Sequence, residues 1–287
     1  MAKVFQIEDL YFRYPKGVGD VVKGISFSVE EGSIFGLLGP SGAGKSTTQR
    51  LLTKLLSGFR GSIRYFGKDL NEYNKSFYEK VGIGFEMPVH FNKLTARENL
   101  DYFGNLYQNH IDYETLLTRV GLREAANRPV GEYSKGMKVR LNFIRALLND
   151  PQVLFLDEPT AGLDPNNAKV VKDIIREYRE KGRTIFITTH LMGDVEQLCD
   201  QVVFINNGLI TETSTVRDLK LKYGRKEIKI EYWSQNDLKS KVYSLEGLGE
   251  NEDFLSSLKQ NQIETIHSGE TTLEDIFIKL TGVEGHE

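Results

Sequence analysis

A glycine-rich stretch of the chain contains the residue types that bind phosphate. It matches the pattern GxxxxGK[ST], and it lies between an apolar run and a stretch with helical spacing. Glycines let backbone N–H groups converge on phosphate oxygens, and a helix start adds unpaired N–H groups and partial positive charge. The bare pattern arises by chance in roughly one chain in a hundred of this length. We therefore predict a nucleotide site at Gly39, Pro40, Ser41, Gly42, Ala43, Gly44, Lys45, Ser46 and Thr47.

Within this stretch, two side chains have the chemistry that a bound nucleotide requires. Lys45 can reach the β- and γ-phosphates, and the hydroxyl of Ser46 can coordinate Mg²⁺. We therefore expect ATP and Mg²⁺ as the ligands of this site.

Two carboxylates follow an apolar run further along the chain. Residues 153–156 read Val-Leu-Phe-Leu, and Asp157 and Glu158 come directly after them. A strand buried on both faces brings its last residues to the carboxyl edge of the sheet, where ligands bind. Asp157 suits a role at the Mg²⁺ ion, and Glu158 suits a general base that polarises the attacking water. The alternative is a solvated acidic turn, which a phosphate loop in the same chain disfavours.

Strand-like and helix-like stretches alternate around these residues. The pattern predicts buried strands at 33–38, 81–85, 153–156, 184–188 and 202–205, and helices at 44–56, 94–107 and 134–148. Thr95 and Glu98 form a capping-box pattern, and Pro165 after Asp164 marks another helix start. We expect the helix at 44–56 to bury Leu51, Leu52, Leu55 and Leu56. The alternation indicates an α/β fold with a mainly parallel sheet covered on both faces.

The character of the sequence changes near residue 220. Residues 227–232 alternate between polar and apolar, which indicates a half-buried strand. Residues 271–280 predict a helix with a capping box of Thr271 and Glu274 and with apolar residues at helical spacing, namely Leu273, Ile276, Phe277 and Leu280. We therefore predict a main domain over residues 1–220 and a small α+β accessory domain over residues 221–287.

Bulk properties exclude several classes of protein. The 287 residues carry a net charge of −3, so we expect no nucleic-acid partner. A single cysteine, Cys199, precludes an internal disulfide framework and fits a reducing compartment. The chain contains no apolar run of about 18 residues and no signal-peptide pattern at its start, so any membrane role is expected to need a partner.

Three further segments settle the resemblance to a family. Tyr-Ser-Lys-Gly-Met occupies positions 133–137, Ala-Gly-Leu-Asp occupies positions 161–164, and His190 ends a Thr-Thr-His run. The order of these motifs resembles the nucleotide-binding domain of ABC transporters, over about residues 4–208. In that family the segment at 133–137 looks like the signature motif, usually LSGGQ, and the segment at 161–164 looks like the D-loop. His190 looks like the switch histidine, and Tyr14 looks like the aromatic residue that stacks on adenine.

The resemblance implies a fold and an assembly. The fold is that of a P-loop NTPase: a mainly parallel sheet, an antiparallel β subdomain and a helical subdomain at about residues 87–150, followed here by the small α+β appendage. The assembly is a head-to-tail dimer in which ATP lies between the phosphate loop of one protomer and Ser134 and Gly136 of the other. ATP bridges the two surfaces and ADP does not, so hydrolysis releases the dimer. Lys45, Glu158 and His190 are then the catalytic candidates.

The chain departs from the family pattern at two places. In the signature, Tyr133, Lys135 and Met137 replace leucine, glycine and glutamine. Lys135 either adds positive charge near the phosphate or points to solvent. The usual Q-loop glutamine aligns with Glu86, whose carboxylate is a stronger Mg²⁺ ligand than an amide. We hypothesise that Glu86 lies at the metal edge of the site with Ser46 and Asp157; the alternative is a register slip that leaves Glu86 on an exposed loop.

The resemblance favours the ATPase subunit of a transporter, held at the cytoplasmic face of the cell membrane by separate permease subunits. The tail at 270–282 resembles that of exporter-type drug- and antibiotic-resistance ATPases, and the dimer can be homo- or heteromeric. One alternative is a soluble ABC ATPase acting on ribosomes or DNA, although such members usually carry two cassettes or a long coiled-coil insertion. Another is a non-hydrolysing ATP sensor, which the departures in the signature and at Glu86 would suit.

Overall fold

A computed structural model describes residues 2–87, 89–224, 226–234, 237–269 and 271–281. Its strands are β1 (Lys3–Phe12), β2 (Val22–Glu30), β3 (Ile34–Leu38), β4 (Arg60–Tyr65), β5 (Lys68–Asp69), β6 (Val81–Gly84), β7 (Val153–Asp157), β8 (Thr184–Thr189), β9 (Gln201–Asn206), β10 (Leu209–Thr215), β11 (Glu227–Ser234), β12 (Asp237–Ser244) and β13 (Gln262–Ser268). Its α-helices are α1 (Lys45–Leu52), α2 (Ala96–Gly104), α3 (Glu114–Arg119), α4 (Lys135–Leu147), α5 (Pro165–Glu180), α6 (Met192–Leu198), α7 (Val216–Tyr223), α8 (Glu252–Gln260) and α9 (Leu273–Thr281).

A six-stranded sheet forms the centre of the molecule, in the order β10-β9-β3-β8-β7-β6. The strands from β9 to β6 pair in parallel, and β10 joins the edge in the antiparallel sense. Strands β3 and β7 are almost entirely apolar because both of their faces are covered. The predicted parallel sheet is confirmed.

Each face of this sheet packs on a different layer. On one face, Leu154, Leu156 and Ile187 belong to a core shared with α4, α5 and α6. On the other face, Phe155 and Phe186 belong to a core shared with α1 and a four-stranded antiparallel sheet of order β2-β1-β4-β5. Alternate residues of one strand therefore bind the two layers together, as the period of two in a β-strand requires. The antiparallel β subdomain implied by the resemblance is present.

Helical segments fill the stretch between β6 and β7. Helix α2 begins with the predicted capping box: Thr95 accepts a hydrogen bond from the backbone of Glu98, and the Glu98 carboxylate accepts one from the backbone N–H of Thr95. Ser134 caps α4 by accepting a hydrogen bond from the backbone N–H of Met137. Asp164 caps α5 in the same way, directly before Pro165.

The C-terminal region forms a third sheet of three strands, in the antiparallel order β12-β11-β13. Helix α8 packs on this sheet through a small cluster that contains Ile230, Tyr243 and Phe254. Helix α9 returns to the main core, in which Leu273 and Ile276 are fully buried. The division of the chain into domains at residue 220 stays a prediction.

Two local predictions are wrong. Leu55 is 46% exposed because α1 ends at Leu52, earlier than the apolar spacing suggested. The capping box of α9 lies one residue later than predicted: Thr272 Oγ1 accepts from the backbone N–H of Asp275, and Asp275 Oδ2 accepts from the backbone N–H of Thr272. The pairs Thr271/Glu274 and Thr272/Asp275 both have the spacing of a capping box. The sequence therefore allows either start of α9, and only the packing of the helix selects the second. Glu270 and Gly282, the ends of the predicted tail motif, lie outside the described residues.

Phe155 offers a test of the layered core. It is fully buried, and its ring lies 5.7 Å from that of Phe5 in the antiparallel sheet and 5.2 Å from that of Phe186. We expect Phe155→Ala to lower the free energy of unfolding by about 3–5 kcal/mol, because it leaves a cavity between the two sheets. Urea unfolding followed by circular dichroism measures this loss. Leu209→Ala, at a site that is 50% exposed, is the control and should change stability by less than about 1 kcal/mol; equal losses in the two variants would contradict the layered core.

Candidate functional site

The glycine-rich loop connects β3 to α1 in a conformation that needs glycine at two positions. A Cβ atom on Gly39 would lie 2.1 Å from the carbonyl oxygen of Ile205, so a side chain there would collide with β9. Gly44, which caps α1, has a φ of +109°, a region that L side chains rarely adopt. The loop therefore turns tightly over the end of β3 and brings the first N–H groups of α1 toward the same space.

Lys45 lies against this loop as its first helical residue. Its Nζ atom donates to the carbonyl oxygens of Gly39 at 2.6 Å and of Pro40 at 3.1 Å. Burial lowers the pKa of the Lys45 ammonium from its ordinary value, and the nearby carboxylates of Glu158, Asp157 and Glu86 partly offset this. The ammonium thus sits at the loop where phosphate charge would be received.

Asp157 is oriented by the neighbouring strand. Its Oδ1 atom lies within hydrogen-bond distance of the Thr188 hydroxyl, which is also 3.0 Å from Oε1 of Gln49 on α1. Thr188 is the register partner of Asp157 across β7 and β8. The hydroxyl has one proton, and an ionised carboxylate is its strongest acceptor in reach, so Thr188 fixes the direction of the Asp157 side chain.

Glu158 is held by the segment that carries His190. Its Oε2 atom accepts from the Thr189 hydroxyl at 2.8 Å, and its Oε1 atom accepts from the backbone N–H of His190 at 3.0 Å. Nδ1 of His190 lies 2.6 Å from the same Oε1 atom, so Nδ1 carries the proton when the carboxylate is ionised. Glu158 has a φ of +50°, which is unusual for a side-chain-bearing residue and turns it away from the line of β7. It is 8% exposed, whereas the side chain of His190 is 61% exposed.

These groups line one cleft of about 1010 Å³. Residues 40–47 of the loop border it, together with Asp157, Glu158 and His190. Glu86 borders it as well, so the structure places this residue beside the predicted metal ligands, although on the surface. Among the described residues, no three Asp, Glu, His or Cys side chains form a metal cage. Mg²⁺ bound with a nucleotide takes one or two carboxylates plus phosphate oxygens, and the hard oxygen donors Ser46, Asp157 and Glu86 fit that requirement.

Four predicted residues do not border this cleft, and one of them is Gly39 at the start of the loop. Ser134 is exposed at the start of α4, and neither it nor Gly136 borders the cleft of its own chain. The hydroxyl of Tyr14 lies 3.2 Å from Oγ1 of Thr47, and its ring packs edge-on against Phe12 at 5.0 Å. Tyr14 is therefore beside the base of the loop, and its contact with adenine stays a prediction.

The loop that carries Glu86 is tied to helix α4. Nδ2 of Asn142 donates to the carbonyl oxygen of Phe85 at 2.8 Å, and Arg145 donates to that of Val89. Nε2 of His90 lies 3.1 Å from the carbonyl oxygen of Lys138, and burial lowers the pKa of His90 to about 4, which keeps it neutral near pH 7. No local sequence pattern signals these contacts, because they join positions about 50 residues apart.

Helix α9 also borders the cleft, through Glu274, Phe277 and Ile278. From the sequence, these residues were predicted only as part of an accessory helix. The segment 191–194, which follows His190, forms the adjoining wall. The helical spacing of the tail indicated that one face is buried, but not that a neighbouring face meets the phosphate loop.

Comparison with known proteins agrees with this geometry. Residues 22–161 match the family model described as ABC transporter, and residues 226–270 match that of the fluoroquinolone efflux ABC transporter C-terminal domain. The chain is similar over 98% of its length to the fluoroquinolones export ATP-binding protein of Mycobacterium tuberculosis, at 45% identity and with 94% of that protein covered. It is 35% identical to the bacitracin transport ATP-binding protein of Bacillus licheniformis, with 98% of each chain covered.

A solved structure of an ATP-binding subunit of an ABC transporter is similar in fold. It superposes with a TM-score of 0.70 at 28% identity, and the match covers 77% of this chain and 93% of that one. The uncovered part of this chain corresponds in size to the C-terminal sheet and its helices.

The position of Glu86 leads to a prediction about the metal. We expect Glu86→Gln to raise the Mg²⁺ concentration needed for half-maximal ATP hydrolysis by about tenfold, because an amide replaces a charged oxygen donor at the edge of the site. A Mg²⁺ titration of phosphate release at fixed ATP measures this shift. Glu8→Gln, at an exposed position on β1, is the matched control. An unchanged titration in Glu86→Gln would remove Glu86 from the metal site.

Proposed function

This chain belongs to the ABC transporter family of ATP-binding proteins, and we propose that it is the ATP-hydrolysing subunit of an exporter whose membrane-spanning subunits are separate chains. The observation that carries this proposal is the Glu158 carboxylate, oriented by Thr189 and His190 at the edge of the cleft that the phosphate loop borders. A carboxylate held there is placed to accept a proton from water that attacks a γ-phosphate.

Binding of ATP follows from the loop. The N–H groups of the loop and of the start of α1 receive the β- and γ-phosphates, and Lys45 exchanges its hydrogen bonds to Gly39 and Pro40 for bonds to phosphate oxygens. Mg²⁺ would be held by Ser46 and Asp157 with Glu86 beside them, and it supplies electrostatic stabilisation of the phosphate oxygens.

Hydrolysis is assigned to Glu158 and His190. Glu158 accepts the proton of the attacking water, and His190 holds the carboxylate in place for this step through its backbone N–H and its Nδ1 atom. The bond from His190 Nδ1 to Glu158 fixes the tautomer, so the imidazole and the carboxylate act as one oriented unit. A sensor without turnover would have no need of an oriented base next to an exposed imidazole.

A second molecule completes the site. Ser134 and Gly136 are accessible at the N-terminus of α4, away from the cleft of their own chain. The hydroxyl and free N–H groups there suit a γ-phosphate presented by another protomer. ATP held between the two surfaces joins the protomers, and its hydrolysis separates them.

A surface for the membrane subunits lies beside the Glu86 loop. Met87 is 79% exposed and Val89 is 76% exposed, and Phe91, Tyr102 and Leu106 are exposed as well. Clustered apolar side chains at a surface mark interaction sites. Within the described part of the chain, no helix is long and apolar enough to cross a bilayer. We infer that this surface receives cytoplasmic helices of the permease, and that the contacts from Asn142 and Arg145 transmit their movement to α4.

The exporter assignment rests on relatives that cover nearly the whole chain. Both the fluoroquinolones export protein and the bacitracin transport protein are named as ATP-binding proteins of transport systems. The match of residues 226–270 to a C-terminal domain of an efflux ATPase extends the likeness beyond the nucleotide-binding region. Nothing in the described residues favours a ribosome- or DNA-associated ATPase.

Replacement of Glu158 tests the catalytic assignment. We expect Glu158→Gln to lower the rate of phosphate release about 100-fold or more, because an amide cannot accept the water proton. The same variant should retain ATP binding and accumulate as a dimer with ATP, which gel filtration with light scattering would reveal. Glu180→Gln, at the exposed end of α5, is the control. Turnover at the unmodified rate in Glu158→Gln would contradict the proposed base.

Co-purification tests the role in transport. We expect that a tagged full-length chain, extracted from native membranes in mild detergent, brings with it a protein with several membrane spans. The variant Met87→Glu places a charge in the exposed apolar surface and should reduce that recovery several-fold, while Leu209→Glu at an exposed site on β10 should not. Recovery with ribosomes or chromatin and none with membranes would contradict the transporter assignment.

A further inference from the structure

Helix α9 forms a wall of the nucleotide cleft that the proposed function does not use. Glu274, Phe277 and Ile278 border the same space as the phosphate loop. The cleft, at about 1010 Å³, is at the upper limit of sites for small ligands. It therefore has room for a protein segment as well as a nucleotide.

The position of this wall is fixed by the fold. The carboxylate of Glu196 on α6 accepts a 2.6 Å hydrogen bond from the backbone N–H of Leu273, and it also pairs with Lys220 on α7 at 3.3 Å. At the other end of α9, Asn206 donates to the carbonyl oxygen of Thr281 at 3.2 Å. Helix α6 begins two residues after His190, so α9 is attached to the segment that holds Glu158.

The charge on this wall does not suit the nucleotide. Glu274 is exposed, and among the described residues it has no ion pair or hydrogen bond. The cleft already contains the carboxylates of Glu86, Asp157 and Glu158. The helix dipole stabilises this carboxylate in the first turn of α9, and its exposure at the border of the cleft leaves it accessible to a cation that another molecule supplies.

Lys135 is a positive charge at a position that does not favour one. It is the first residue of α4, next to Ser134, and it is exposed alongside Gly162. A cation at a helix N-terminus is disfavoured by the helix dipole, and within the described part of the chain no carboxylate pairs with Lys135. An acid supplied by another molecule would relieve this repulsion.

We propose that α9 is part of the surface that receives a second copy of this chain, and that Glu274 pairs there with Lys135 of the second copy. This inference rests on the proposed shared site, which brings Ser134 and Gly136 of one copy to the phosphate loop of the other. Phe277 and Ile278, which are half-buried, form the apolar floor beside the pair. The C-terminal helix thereby selects a partner with a cation at the third position of its signature.

Charge reversal tests the pair. In the Glu158→Gln background with Mg²⁺ and ATP, we expect Lys135→Glu and Glu274→Lys each to weaken dimerisation on the order of tenfold, because like charges then face each other. The double variant Lys135→Glu/Glu274→Lys should recover most of this loss, as measured by analytical ultracentrifugation. Lys259→Glu and Glu180→Lys are matched reversals at exposed sites on α8 and α5, and they should leave dimerisation unchanged.

Cross-linking supplies a further measurement. Cys199 is buried, so an introduced surface cysteine reacts selectively. A Lys–Glu ion pair separates the two Cα atoms by more than a disulfide can span, so a short bismaleimide is the suitable cross-linker. It should join a mixture of Lys135→Cys and Glu274→Cys chains with ATP, and much less without it. Each variant alone should form no cross-linked dimer.

The outcomes separate the two proposals. If the Glu158→Gln parent dimerises with ATP but neither reversal weakens it, or the double variant recovers nothing, or the mixed cysteines fail to link, the pair is overturned and the shared site stands. If the parent remains monomeric with ATP, the shared site itself fails, and this inference fails with it.

Discussion

The parallel pairing of three strands determines where the phosphate loop, the two carboxylates and His190 lie. Leu38 at the end of β3 is paired with Thr189 at the end of β8, and Asp157 at the end of β7 is paired with Thr188. Because parallel strands present their carboxyl ends at one edge, the phosphate loop, the two carboxylates and His190 converge there. A shift of one residue in the pairing of β7 with β8 would turn Thr188 away from Asp157.

The two layers around the sheet keep this edge in place. Apolar residues on alternate positions of β7 and β8 bury one face under helices and the other under the antiparallel sheet. At the end of β7 polar contacts replace the apolar packing. Glu158, the first residue after the strand, has a positive φ. That local strain is offset by three hydrogen bonds from Thr189 and His190, which leave the carboxylate oriented but largely shielded from bulk water.

Two segments connect the cleft to other parts of the molecule. The Glu86 loop is tied to α4 and borders exposed apolar side chains, whereas the segment after His190 is tied to α9. Movement at the apolar surface would be transmitted to α4 through Asn142. Movement of α9 would be transmitted to Glu158 through α6. The C-terminal sheet lies between α7 and α9 in the chain, so both of its connections end on the nucleotide-binding part.

The sequence by itself determined the phosphate loop, the strand that ends in Asp157 and Glu158, the helix starts at Thr95 and Asp164, and the family. These features depend on local residue order, spacing and turn chemistry, which a single chain displays directly. Only the tertiary structure decided that Glu86 borders the cleft, that Thr188 and Thr189 orient the carboxylates, and that α9 forms one wall. Those relations join residues separated by about 30 to 230 positions, so packing rather than local pattern selects them. Packing also selects the start of α9, where the sequence allowed two registers of the capping box.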